Sequence, residues 1–261
     1  MDVNELLARF SEQQVAAFFL VLARVSPLFI LAPLFSSKQV PARARGVLAV
    51  ALTFGLTSVI SRHAKIDLDT LPYALLILKE LLVGLAFAYG LSALFAAVQA
   101  AGSLLDTLIG FSFGSLIDPV TGNQSTVISN MYALFGAAIF VAIDGDAYVI
   151  QGLARTYDAV PLDRAPAIGT LVQGAQAAFS GIFVSAFEIA APVLVALVIT
   201  DAAFGVVSRV VPQLNIFSTG FPSKMIVGLM LIGVSLPFVS GFIGNSLETT
   251  VIQALHTLRV A

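Results

Sequence analysis

The sequence has no cysteine and no tryptophan, and only two of its 261 residues are histidines. Without thiols the chain can form neither a disulfide nor a cysteine-ligated metal site, and two histidines are too few for a histidine-based metal site within one chain. Charged residues make up 11% of the sequence, against roughly a quarter in an ordinary soluble domain. A net charge of -2 also argues against a nucleic-acid partner. We therefore expect no cofactor, no metal and no nucleic acid.

Apolar residues make up 58% of the sequence, and its mean hydropathy is +0.98. About 20 residues of helix cross the hydrocarbon layer of a bilayer. Because backbone groups in lipid must bond to one another, and no alternating barrel pattern is present, the fold predicted is all-α and membrane-associated. About six long apolar helices are expected, in these runs: 15–35, 47–60, 71–110 (long enough for two helices), 126–143, 171–200 and 225–247.

Proline and glycine fall within or beside most of these runs and predict interrupted helices, at Pro27, Pro33, Gly84, Gly90, Pro192, Gly228, Gly233 and Pro237. Both chain ends have an amphipathic pattern, at residues 3–10 and 247–258. Asn245 followed three residues later by Glu248 predicts a helix start by the capping-box pattern. Lysine and arginine are spread almost evenly over the two sides of the predicted spans, so the positive-inside rule sets no orientation.

The segment GFSFG, residues 110–114, matches the G-x-S-x-G nucleophile elbow of serine hydrolases. Ser112 would then be the nucleophile, with Asp144 or Asp146 and His256 as partners in the hydrolase order. A nucleophile elbow needs a strand before the serine, however, whereas the run before this segment is Ala-rich and helix-like. A non-enzymatic, apolar loop is therefore the favoured interpretation.

Several segments occur in the order typical of one family: LARVSPLFILAPLF, KELLVG, AGSLLD, GFSFGSLIDP, FVAIDGD and SRVVPQLNIFSTGFPSK. On these segments, which extend over roughly residues 18–238, the sequence resembles the FliR family, called SctT in virulence systems. Members are export-gate subunits of the flagellar and type III secretion apparatus. The most specific element is R-x-x-P-Q-L-N-x-F, which starts at Arg209. One departure from the family pattern is Asp146 in place of histidine.

The resemblance implies one subunit, 1–261, with a FliP-like portion at about 1–160 and a FliQ-like hairpin at about 167–261. It implies a right-handed helical spiral around a pore, built from five copies of FliP, four of FliQ and one family member. FlhB-like and FlhA-like components, and unfolded flagellar proteins as cargo, are the further partners implied. The expected location is the bacterial inner membrane, within the flagellar basal body. A self-contained secondary transporter with broken helices and midplane charges is the alternative.

Three groups of residues receive roles through the resemblance. A pore plug is expected at Gly110, Phe111, Phe113, Gly114, Leu116 and Ile117, the alternative being that the phenylalanines pack on a partner helix. Contacts between subunits are expected for the charges inside apolar runs, Arg24, Lys79 and Glu80. An assembly or pore-lining turn is expected at Arg209, Pro212, Gln213 and Asn215.

Two further expectations concern the charges. Adjacent helix positions do not face each other, so Lys79 and Glu80 are predicted to have separate partners, with Arg24 suggested for Glu80. A proton path through Asp106, Glu188 and Asp201 stays open as an alternative.

Overall fold

The structure is a computed structural model in which residues 12–36, 40–60, 66, 68–111, 127–162, 168–211 and 216–259 are described. Over these ranges the chain forms helices joined by short turns, and no strand is present. The helices are α1 (Glu12–Leu31), α2 (Ala42–Ile60), α3 (Thr70–Ile109), α4 (Val127–Ala142), α5 (Gly145–Ala159), α6 (Ile168–Val210) and α7 (Ile216–Arg259). The predicted all-α fold is confirmed.

Five described helices are long and apolar enough to cross a membrane: α1, α2, α3, α6 and the part of α7 from Pro222 to Thr257. The count becomes six when α4 and α5, which are bent by 73° relative to each other, are taken as one broken span. This agrees with the expectation of about six apolar helices. The short run that begins at Val47 is part of a full 19-residue helix, because the helix starts earlier, at Ala42.

Three helices are much longer than a membrane span, with 40 residues in α3, 43 in α6 and 44 in α7. At 1.5 Å per residue each extends about 60 Å, roughly twice the hydrocarbon thickness. The suggestion that 71–110 forms two helices is wrong, because α3 is continuous through Gly84 and Gly90. Glycine weakens an isolated helix, but a glycine that lets two helix backbones approach regains that free energy in packing.

The predicted interruptions at proline are mostly absent. Pro27 lies inside α1, Pro192 inside α6 and Pro237 inside α7, and each helix continues past its proline. Proline removes one backbone hydrogen bond without ending a helix that surrounding elements hold in place. The predicted helix start at Asn245 is also wrong, since Asn245 lies within α7. The amphipathic segment 3–10 lies outside the described residues.

The break between α4 and α5 was not predicted. It is made by Ile143 and Asp144, and Asp144 has left-handed backbone angles, φ 53° and ψ 40°. Aspartate is one of the few residues other than glycine that adopts this region readily. Asp146, at the position where the resembled family has histidine, is exposed in the first turn of α5.

The chain divides into two compact units that interleave along the sequence: residues 1–92, 144–178 and 247–261 form unit 1, and residues 93–143 and 179–246 form unit 2. Helices α3, α6 and α7 contribute one segment to each unit. The core of unit 2 is apolar and centres on α3, α4, α6 and α7, with Leu105, Ile109, Ile128, Tyr132 and Ile189 fully buried. Unit 1 buries a cluster of charged side chains among apolar ones, whereas the described part of unit 2 buries a single carboxylate. The proposed FliP-like and FliQ-like portions remain a prediction.

Gly84 of α3 packs directly against the backbone of α1. A Cβ atom at Gly84 would lie 2.9 Å from the carbonyl carbon of Arg24 and 3.0 Å from its Cα atom. Real Cβ atoms do not approach backbone atoms so closely, so the two helices could not keep their present separation. Within unit 1, therefore, this glycine sets the distance between α1 and α3.

We expect Gly84→Ala to destabilise the protein by about 1–3 kcal/mol, since overpacking against backbone forces the helices apart. Gly55→Ala is the matched control, because a Cβ there meets no atom within 4 Å. Alanine at that exposed helical position is expected to be neutral or stabilising by up to about 1 kcal/mol. Reversible unfolding of the purified protein in mixed micelles measures both, and equal midpoints for the two variants would contradict the close approach.

Candidate functional site

Arg24, Lys79 and Glu80 form a buried charge cluster in unit 1. The Arg24 and Glu80 side chains have no exposed surface, and Lys79 is buried as well. Arg24 Nε donates to Glu80 Oε2 at 2.5 Å, and Arg24 Nη2 donates to Glu80 Oε1 at 3.0 Å. This two-pronged geometry is the strongest arrangement that an arginine and a carboxylate can make. The suggestion that Arg24 pairs with Glu80 is confirmed.

Lys79 completes the cluster. Its Nζ atom lies 2.6 Å from Glu80 Oε1 and donates to the carbonyl oxygens of Pro161 and Leu162, both at 3.0 Å. The expectation that Lys79 and Glu80 do not pair is wrong. Adjacent helix positions point apart at Cβ, but the four-carbon stem of lysine is long and flexible enough to bring its ammonium to the neighbouring carboxylate.

The remaining donors of Arg24 bind the end of α5. Nη1 donates to Thr156 Oγ1 at 3.2 Å, and Nη2 donates to the carbonyl oxygen of Val160 at 2.8 Å. The guanidinium carbon also lies 4.0 Å from the centre of the Tyr157 ring, a cation–π contact. The last carbonyls of a helix have no partner within the helix and carry partial negative charge. Arg24 and Lys79 supply the cations that this end of α5 requires.

The cluster therefore joins α1, α3 and the segment after α5 through one carboxylate and two cations. These contacts hold the three elements in position. The polar atoms are charged donors, one carboxylate, and backbone or hydroxyl acceptors, and within this cluster no nucleophile lies beside a base. In the ranges that the structure describes, no group of three or more His, Asp or Glu side chains is placed to hold a metal ion. Contacts of Arg24, Lys79 and Glu80 with other subunits remain a prediction; within the chain Arg24 and Lys79 each pair with Glu80.

Only the start of the predicted plug lies within the described residues. Gly110 is buried and has φ 104°, a conformation that favours glycine, and Phe111 packs on the apolar core of unit 2. Helix α3 runs to Ile109, so a helix and not a strand leads to Ser112, which is not the context of a nucleophile elbow. Outside the described residues lie Ser112, Phe113, Gly114, Leu116 and Ile117.

The predicted turn after α6 is described only at Arg209, which is exposed in the last turn of that helix. Pro212, Gln213 and Asn215 lie outside the described residues. Nearby in sequence, Asp201 of α6 accepts a hydrogen bond from Lys224 of α7 at 2.7 Å. Asp201 is half exposed, so this ion pair links the two helices only weakly.

The three acidic residues considered for a proton path have different surroundings. Asp201 is paired with Lys224, Glu188 is exposed, and Asp106 is fully buried and bonded to the backbone of Ile128. No hydrogen bond within the described part of the chain joins any of the three to another. Sequence inspection missed Thr156, Tyr157 and the carbonyls of residues 160–162, because backbone acceptors leave no signal in the side-chain pattern.

Comparison with known proteins gives a consistent result along nearly the whole chain. The family model described as bacterial export proteins, family 1, matches residues 15–250. The flagellar biosynthetic protein FliR of Bacillus subtilis is 33% identical over 238 residues, 90% of this chain and 92% of the relative. FliR of Escherichia coli K12 is 28% identical over 227 residues, 86% of each chain. The surface presentation of antigens protein SpaR of Shigella flexneri is 25% identical over 215 residues, 81% of this chain and 82% of the relative.

We expect Glu80→Gln to destabilise the protein by about 3–5 kcal/mol, because it leaves two buried cations, Arg24 and Lys79, without their carboxylate. Arg24→Met should cost less, because Lys79 still pairs with Glu80. The double variant Arg24→Met/Glu80→Gln should lose less than the sum of the two, since it removes both members of the pair and leaves Lys79 as the one charge of the cluster. Arg24→Lys is the conservative control, because it keeps the charge but not the two-pronged geometry. Its free energy of unfolding should lie between those of the parent and Arg24→Met. Unfolding in mixed micelles gives the cycle, and additive losses would show that the pair is not coupled.

Proposed function

We propose, since the chain belongs to the family of bacterial export proteins, family 1, that it is a non-enzymatic subunit of the export gate of a type III protein secretion apparatus. The observation that carries this proposal is the family match over residues 15–250, together with relatives that it covers at 82–92% of their own length. Its five or six apolar helices, together with its similarity to flagellar biosynthetic proteins, support a multi-pass protein of the inner membrane. A flagellar apparatus is favoured over a virulence system, because FliR of Bacillus subtilis and FliR of Escherichia coli are more similar to this chain than SpaR of Shigella flexneri is.

The chain is proposed to assemble with FliP and FliQ subunits, and the exposed apolar surface supports this. Only 17% of the most apolar window of α2 and 28% of that of α6 are buried within the chain. Lipid alone could cover these faces, but Glu188 lies exposed on α6 between exposed Phe183, Phe187 and Val195. A carboxylate facing hydrocarbon is costly, whereas a protein partner can supply a donor. The stoichiometry, the FlhB-like and FlhA-like components and the flagellar cargo are carried over from the family resemblance.

The loop after α3 is proposed to be the plug of the pore. Gly110, Phe111, Phe113, Gly114, Leu116 and Ile117 make an almost wholly apolar segment, and rings of apolar side chains close pores by expelling water. An export channel must pass an unfolded chain yet exclude ions at rest. The turn at Gly110, with its φ of 104°, directs the chain out of the helix at the point where the plug begins.

A self-contained secondary transporter is the second candidate, and the observation in its favour is the bent pair α4 and α5. Transporters use such broken spans to build a substrate site within the membrane. The break here is formed by Ile143 and by Asp144, which is exposed. The two functions differ in what they require: a transporter is complete as one chain or as a homo-oligomer, whereas a gate subunit needs other proteins.

We expect the tagged chain, expressed with FliP and FliQ from the same host, to purify as a stable complex containing all three. Expressed alone, it should aggregate or be degraded, because the apolar faces of α2 and α6 then have no protein partner. Size-exclusion chromatography with mass determination distinguishes the cases. A monodisperse monomer or homo-oligomer that is stable without FliP and FliQ would favour the transporter.

We expect the double variant Phe111→Ala/Phe113→Ala to raise the leak of small ions across the host inner membrane severalfold, because the two largest side chains at the start of the plug are lost. Ser112→Ala is the matched control within the same segment and should export flagellar proteins and hold ions as the parent does. Ion-sensitive dyes and secretion assays record both properties. If the double variant holds ions as the parent does while Ser112→Ala abolishes export, the plug proposal fails and a chemical role for Ser112 is supported.

A further inference from the structure

Asp106, one turn before the end of α3, is bonded to the chain on both sides of the segment that joins α3 to α4. Its backbone oxygen accepts hydrogen bonds from the N–H groups of Gly110 at 3.0 Å and Phe111 at 3.1 Å. Its side-chain oxygen Oδ1 accepts a third from the N–H group of Ile128, at 3.2 Å, in the first turn of α4. A single residue thus holds the place where the chain leaves α3 and the place where it enters α4.

Among the described residues, the Asp106 side chain has no cationic partner. Asp106 has no exposed surface, and Leu105, Ile109 and Ile128 beside it are also fully buried. Within the described part of the chain, no donor binds its second oxygen, Oδ2. Burying a carboxylate is costly, and its compensation here is an N–H group at the positive end of the α4 dipole. In the described structure, the hydrogen bond from the Ile128 N–H group is therefore the interaction that explains an acidic residue at this position.

The rest of the α3–α4 contact does not depend on Asp106. A Cβ atom at Gly102 would lie 2.7 Å from the Cα atom of Ser129, so the two backbones are closely packed. Ser129 Oγ donates to the carbonyl oxygen of Gln99 at 3.0 Å, and Ser103 Oγ donates to Ser129 Oγ at 3.1 Å. Loss of the Asp106 side chain should then free the first turn of α4 without separating the helices.

We propose that Asp106 is a positioning residue of the export gate: its carboxylate fixes the place where the chain enters α4, through the N–H group of Ile128. Its backbone carbonyl, which any residue would supply, holds Gly110 and Phe111 where the chain leaves α3. The proposal rests on the proposed function, because fixing the α4 end of the connection matters for ion exclusion only if this connection is the plug.

The test compares Asp106→Leu with Asp106→Asn in the full chain, co-expressed and purified with FliP and FliQ. Leucine is similar in size but has no acceptor, whereas asparagine keeps a side-chain oxygen for Ile128. We expect amide hydrogen exchange in a peptide containing Ile128 to become about tenfold faster or more in the leucine variant, since the hydrogen bond made by the Ile128 N–H group is lost. Exchange in the asparagine variant should stay near that of the parent. Ion leak in the host should follow the same order.

Two controls keep the outcomes distinct. Ser103→Ala removes an α3–α4 hydrogen bond away from the connection and should change neither exchange at Ile128 nor leak, and Asp106→Ala replaces the leucine variant if that one does not accumulate.

If asparagine and leucine variants exchange and leak alike, the acceptor is not what matters and the inference is overturned. The same holds if exchange at Ile128 is unchanged in every variant while Phe111→Ala/Phe113→Ala leaks, and the plug then stands without Asp106. Faster exchange with no leak in any variant, the phenylalanine one included, supports the positioning role and rejects the plug.

Discussion

The pairing of Arg24 with Glu80 is the interaction on which unit 1 depends. A guanidinium and a carboxylate, 56 residues apart in the chain, meet with no exposed surface on either side chain. In so dry a setting each charge is stabilised mainly by the other, with Lys79 as a second partner of Glu80, so separating α1 from α3 would cost the two-pronged pair. Gly84 lies one turn beyond Glu80 on the same face of α3, and its lack of a side chain lets α1 come close enough for the pair to form. A charge pair and a missing side chain thus act together.

The helices of the two units are held together by different kinds of interaction. In unit 1 polar groups fix the geometry: Arg24 and Lys79 together hold three consecutive carbonyls, those of residues 160–162, after the end of α5. In unit 2 the helices are held by apolar packing and close backbone contact, and the one buried carboxylate, among the residues described there, bonds to a backbone N–H group. The hydrogen bonds of a guanidinium and an ammonium are directional and fix particular partner atoms, whereas apolar packing is close but sets no individual partner atom. The contacts of unit 1 therefore specify which groups meet, whereas those of unit 2 specify how closely its helices pack.

Composition was enough to predict the helical membrane fold, because 58% hydrophobic residues and long uncharged runs leave few other solutions. It was not enough to predict where helices end. Pro192 and Pro237 are helix breakers in isolated peptides, but tertiary packing overrides that preference here, and α3 passes through Gly84 for the same reason. The Arg24–Glu80 pair was predictable because opposite charges in apolar runs need each other. The bonds of Lys79 to two carbonyls were not, since a backbone acceptor has no identity in the sequence.

The position of Arg24 in the first described helix has a consequence for biogenesis. Glu80 is made 56 residues after Arg24, so α1 meets the membrane before its partner charge has been synthesised. An unpaired arginine in mid-span raises the insertion free energy by roughly 3 kcal/mol, which the apolar remainder of α1 can offset. Glu80 in turn arrives next to Lys79, 2.6 Å from its ammonium, and so enters already partly neutralised. The first helix is thus inserted with an unpaired charge, which finds its carboxylate only when α3 docks. The free energy of that pairing favours association of α1 with α3 before the rest of unit 1 assembles.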